Sequence, residues 1–186
     1  MDPLLNIDIH RDSEAVAHPA LATQRISLAL ELEAALDRDA LITALHRFIR
    51  DDHFADEIPV DVANYAHLAD GPQVLLICHY GQLSYDVEGE LHTLRWSSRR
   101  TRQRDFETRL RHAADVLLRA ARLLGESDGV DLRARQGVLR FAIRDRLAAP
   151  DSAETRAAVE PYLASLAETL GVTLQLVGHA SSRRAS

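Results

Sequence analysis

Lysine is absent from this sequence, and all 22 basic residues are arginine. That excludes a lysine Schiff base and a P-loop lysine as sources of chemistry. There is one cysteine, Cys78. One thiol cannot make a disulfide within the chain, and a thiolate zinc site would lack its other sulfurs. Its place in an apolar segment reads as a small buried hydrophobe. The longest apolar run is only Val74 to Cys78, far short of a membrane span. The N-terminus begins Met-Asp-Pro, without a basic segment leading into an apolar one. An export signal is therefore not expected, and the cytoplasm is the expected compartment. The eight glycines are scattered, so no phosphate loop and no G-x-S-x-G elbow occurs.

What is present suits one globular domain. A chain of 186 residues with 46% hydrophobic side chains can bury a core without staples. The charge is uneven. Residues 1–90 hold 5 arginines against 17 acids, a net of −12. Residues 91–186 hold 17 arginines against 11 acids, a net of +6. Such halves can pair within one fold or between copies. Nucleic acid is a poor partner, because its phosphates would meet the acidic half.

Residues 1–24 lack a sustained period, apart from an alternation over Leu5 to Ile9, and read as an N-terminal arm. The domain is expected over residues 25–178, with a polar tail at 179–186. Ile26, Leu28, Leu30 and Leu32 alternate with smaller or polar residues, which predicts a strand. Asp37 then caps a helix over 38–50, with Leu41, Ala44, Leu45, Phe48 and Ile49 as its apolar stripe. Strands are predicted at Ile58 to Val62, Val74 to His79 and Leu91 to Trp96. Gly-Gln-Leu-Ser at 81–84 reads as a hairpin signal. Asp105 starts a second helix that Gly125 stops. Gln136-Gly137 reads as a turn between two strands, the second ending at Ile143. Asp151 is expected to cap a third helix, with Glu154 in a capping box and Pro161 kinking or splitting it. A last strand follows Gly171. The fold class is therefore α+β: a two-layer sandwich, with a mixed, mostly antiparallel sheet and about three helices on one face.

The blocks HRFIRDD (46–52), IPVDVANYAHLADGPQVLLICH (58–79) and RFAIRDRLAAPDSAET (140–155) resemble a family of small uncharacterised bacterial proteins. The resemblance covers about residues 26–178 and leaves the arm outside. It implies domain limits and no activity.

Two groups of side chains could carry chemistry. The polar group Asp61, Tyr65, His67, His79, Tyr80, Asp86 and His92 lies on or between the central strands. Of these, His67, His79, Asp86 and His92 could hold a first-row metal, or supply a His–Asp base, if the register brings them together. The bland alternative is hydrogen-bonded structural histidine and tyrosine. The second group is Arg95, Arg99, Arg100, Arg102 and Arg104, continued by Arg109 and Arg111, with Trp96 beside it. Guanidinium forks near a helix start suit an anion or an acidic partner. The alternatives are a solvated face and an intramolecular partner for the acidic half. No catalytic motif and no cofactor signature accompanies either group. The sequence thus points first to a non-catalytic interaction protein, a cytoplasmic subunit that self-associates or docks in a larger assembly. The rival is a small-ligand- or metal-binding domain, with a hydrolase as one version.

Overall fold

The computed structural model describes residues 18–65 and 67–176. A short 3-10 turn, Pro19–Ala22, leads into strand β1, Ile26–Leu32. Helix α1 follows at Arg38–Arg50, then four strands: β2 Pro59–Asn64, β3 Gly71–Cys78, β4 Gly81–Glu88 and β5 Leu91–Ser98. Helix α2 spans Phe106–Gly125, β6 Ala134–Ile143, α3 Ala153–Leu170 and β7 Thr173–Leu176. The strands make one sheet in the order β2-β3-β4-β5-β1-β6-β7. Every neighbouring pair is antiparallel except β6 with β7. A parallel pair needs a long crossover, and α3 supplies it.

Register assigns the two faces of the sheet. Leu28 stands between Trp96 and Phe141, and Leu30 between Leu94 and Leu139. Leu83 continues that face to Leu76, and Leu76 to Val62. These side chains share one core cluster with Leu41, Leu45 and Phe48 of α1, with Leu110 and Leu117 of α2, and with Val159 and Leu163 of α3. Phe106 of α2 meets both Phe141 and Tyr162 edge-on. The expected sandwich of three helices against one sheet face is what the chain forms. The opposite face carries small and charged residues: Ser27, Ala29, Ser84, Thr93 and Ser97, with Asp86–Arg95 and Glu31–Arg140 ion pairs at 2.6 and 2.8 Å. Arg95 and Arg140 flank Ala29 on either side, which explains how an alanine on this face stays buried.

Several local expectations are corrected. The hairpin signalled at Gly81 to Ser84 turns at His79-Tyr80, and Gly81 to Ser84 is itself the start of β4. Residues 134–143 form one strand: Gly137 takes φ +78, and the register against β1 slips between Leu30 and Leu32. A bulge absorbs the extra residues where a turn was expected. The cap of α3 is Ser152, whose hydroxyl accepts from the Thr155 amide. Asp151 instead pairs with Arg156 at 2.6 Å. Pro161 lies inside α3 on its exposed side and does not split it. The stretch 18–24, expected in the arm, docks: Ala20 is fully buried, and the Leu21 carbonyl accepts from Arg109. The alternation at Leu5 to Ile9 and the tail at 179–186 lie outside the described residues.

Candidate functional site

The arginine run does not stay together. Arg95 points to the open sheet face and binds Asp86. The rest belongs to the loop between β5 and α2. That loop is tied to the β3–β4 turn, because the amides of Arg99 and Arg100 both donate to the Tyr80 carbonyl at 2.8 and 3.1 Å. Arg102 stacks on the Tyr80 ring, 4.4 Å from its centroid. Arg99, Arg100, Arg102 and Arg104 are exposed, and among the described residues none of the four forms an ion pair.

Beneath this loop lies a cavity of about 100 Å³. Its walls come from three places. After α1 the chain makes a turn that ends at Ile58 with φ +53, an unusual conformation for a β-branched residue. This turn turns Glu57 inward, where it is 1% exposed. Helix α2 contributes His112, whose Nε2 lies 2.5 Å from Glu57 Oε1. It also contributes Arg109, 5% exposed, whose guanidinium donates to the carbonyls of Gln103, Arg104 and Leu21. Strand β5 contributes Trp96, 1% exposed. Asp105 caps α2 by accepting from the Thr108 amide, which fixes where Arg109 and His112 emerge.

Charge in the cavity is partly matched. Asp56 also lines it, but Arg119 holds both of its oxygens at 2.8 and 2.9 Å. Glu57 accepts from His112 and so favours the imidazolium, which raises the His112 pKa above its ordinary 6.5; burial opposes this. Among the described residues Arg109 has no carboxylate within ion-pair distance, and burial lowers its pKa. Three buried atoms in these walls have no protein partner: Glu57 Oε2, Trp96 Nε1 and Arg109 Nε. Cys78 is buried, and burial, with Glu57 and Asp56 nearby, pushes its thiol up to about 12. It is therefore not a nucleophile at neutral pH.

The expected metal group is distributed over four places. His92 pairs with the Tyr85 hydroxyl at 2.8 Å on the helix-covered face. Asp86 sits one register step away, opposite Thr93, so its side chain leaves by the other face. His79 stands in the β3–β4 turn, edge-on to Tyr80. His67 lies in the β2–β3 connection beside Tyr65. Among the described residues no three of histidine, cysteine, aspartate and glutamate come together as metal ligands do. The polar pair that does meet, Glu57 with His112, was not singled out by sequence. The available signal was a histidine next to Ala113 on the buried side of an amphipathic helix.

A second feature lies at the sheet edge. Of six exposed large hydrophobics among the described residues, four fall in one stretch: Ile58 at 45%, Val60 at 64%, Tyr65 at 40% and Leu68 at 41%. β2 is a terminal strand of the sheet. The Tyr65 amide donates to Gln73 across the pair with β3, whereas the Val62 amide faces outward and donates to Asp61 Oδ1 at 2.8 Å.

No family model, curated protein or solved structure matches the chain. No described helix is long and apolar enough to cross a membrane.

Proposed function

We propose that this is a non-catalytic interaction protein that forms a homodimer through the outer edge of β2. The observation that carries the reading is the concentration of exposed apolar side chains at Val60 on the terminal strand β2 and at Ile58, Tyr65 and Leu68 beside its two ends. An exposed apolar patch of this kind marks an association surface, and an unpaired strand edge invites another strand. A second copy is the occupant that fits. Antiparallel pairing about a two-fold axis at Val62 sets Pro59 and Val60 of one chain against Tyr65 and Asn64 of the other. Each apolar end then covers the other, and one patch serves both partners. Pro59 and Asp61 blunt the edge against indiscriminate pairing. A two-fold contact also uses up the edge, so growth stops at two. The cytoplasm fits a chain with one cysteine, buried and protonated.

Part of the opposed charge of the two halves is spent inside the fold. Asp56 meets Arg119, Glu57 meets His112, Asp86 meets Arg95, and Glu31 meets Arg140. Size-exclusion chromatography with light scattering tests the reading. The native chain is expected at twice its chain mass at both low and high salt, and Val60→Asp is expected at the monomer mass. A native monomer under both conditions would overturn the proposal.

A further inference from the structure

The charge left over from the internal pairs is sorted along the strand axis. Strands β5, β1 and β6 are neighbours, and at one end of the sheet each meets an arginine: Arg99 after β5, Arg25 before β1 and Arg144 after β6. The Arg144 amide donates to the Arg25 carbonyl at 2.7 Å, so these two stand side by side. The adjoining connections add Arg100, Arg102 and Arg146. All six are exposed, and among the described residues none has an ion pair. Asp105 and Asp145 share this end, yet both are engaged by backbone amides. Like charges set beside one another on adjacent strands oppose folding. The other end of the same strands has the opposite sign. Glu88 and Glu90 flank the β4–β5 turn, where the Gly89 amide donates to Asp70 at 3.0 Å. Glu33 follows β1, just past the pairing of Leu32 with His92. These four carboxylates are exposed, and among the described residues none has an ion pair. Arg133 lies beside Glu33 but is held by Asp131 at 3.0 Å, and Arg38 is flanked by Asp37 and Asp39.

We propose that the arginine end of one copy docks on the acidic end of a second copy. The arginine end covers the ends of β5, β1 and β6, and the acidic end those of β4, β5 and β1. The two patches therefore match in width as well as in sign, and one chain carries both. They do not cancel within one molecule. The eight residues of β5 hold them about 26 Å apart. That exceeds the Debye length of roughly 8 Å at physiological ionic strength. Head and tail are different surfaces, so the contact does not close on itself and can repeat. It uses strand ends and leaves the β2 edge free, which makes it independent of the homodimer. Exposed ion pairs are individually weak and screened by salt. The contact therefore shows at high protein concentration and low salt, and not under the dilution of chromatography.

Sedimentation equilibrium of the native chain and of Val60→Asp, over a wide range of protein concentration, tests the contact with and without the β2 edge. In both, the average mass should rise with concentration at about 10 mM ionic strength. The rise should vanish at about 1 M, where the Debye length falls to roughly 3 Å. Two further variants are made on the Val60→Asp chain, all at exposed positions. Arg99→Glu/Arg100→Glu/Arg144→Glu makes both ends acidic. Glu33→Arg/Glu88→Arg/Glu90→Arg makes both ends basic. Each alone should lose at least about tenfold in association constant. An equimolar mixture should associate again, a recovery that misfolded variants could not give. A low-salt mass that does not change with concentration would overturn the proposal, and so would a mixture that fails to associate. Arginine-dependent binding to phosphatidylserine vesicles or duplex DNA, by a chain whose mass does not grow, would also overturn it and assign this end to a foreign polyanion.

Discussion

At the residue scale, the least ordinary contact is Glu57 with His112. A carboxylate at 1% exposure needs a partner, and a histidine from a helix 55 positions away provides it. The linkage has a definite sign. The folded His112 pKa lies above the ordinary 6.5, because the Glu57 hydrogen bond and the charges of Glu57, Asp56 and Asp115 favour its protonated form. Its contribution to stability is thus complete below about pH 6.5. It is lost as pH rises through the higher folded value. Denaturant unfolding at a series of pH values should show stability falling on the alkaline side. His112→Gln keeps a donor but no charge, and should flatten that limb. His112→Ala strands the carboxylate, and should cost roughly 3 kcal/mol while the imidazole is charged and less as pH rises through its folded pKa. Sequence could not reveal this pair. Glu57 lies in an irregular turn where no periodicity points inward. His112 looks like one more polar residue on an arginine-rich helix, until three-dimensional packing sets that side of α2 against the turn.

At the scale of elements, the helices and most strands were legible because their signals are local. Asp37 and Asp105 cap where their side-chain oxygens predict. The stripe of α1 is buried at Leu41, Ala44, Leu45 and Phe48. Two of the differences fall where a glycine serves more than one purpose. In the sequence Gly137 reads as a turn between two strands, yet it supplies the positive φ of a bulge inside β6. Only pairing with β1 separates the two, and pairing is non-local. In the sequence Gly81 reads as part of a hairpin signal, and it sits at the start of β4 for steric reasons. A Cβ there would lie 2.5 Å from Trp96 Cζ2 and 2.6 Å from the Ser97 carbonyl oxygen. Backbone cannot yield as a flexible side chain can, so Gly81→Ala should destabilise by about 3 kcal/mol. Denaturant titration would show it as a lower midpoint with unchanged slope. Because the clash includes Trp96, the same variant should shift the fluorescence of the native state.

At the scale of the whole molecule, the sheet has two different ends and two different faces. One face packs against three helices, and the other is closed by small residues and by arginines paired with acids. Composition foretold this sandwich, because alternating strands and striped helices have few ways to bury one face each. Composition also showed the charge split, but not where it would go. Four acids of the first half, Glu31, Asp56, Glu57 and Asp86, meet α2, β5 and β6 of the second. What remains outward is the unpaired arginine loop and the apolar edge of β2. The edge was hidden in the sequence because Ile58, Val60 and Tyr65 look like ordinary strand residues. Strand order alone makes β2 terminal, and strand order was not readable. The central claim is that this edge pairs with itself. Amide hydrogen exchange of the β2 amides that face away from β3, measured across protein concentration, tests it most directly. The account predicts that protection at Val60 and Val62 rises with concentration, while amides in β4 and β5 stay unchanged. Exchange at Val60 and Val62 that is independent of concentration, at concentrations where light scattering finds a dimer, would contradict it.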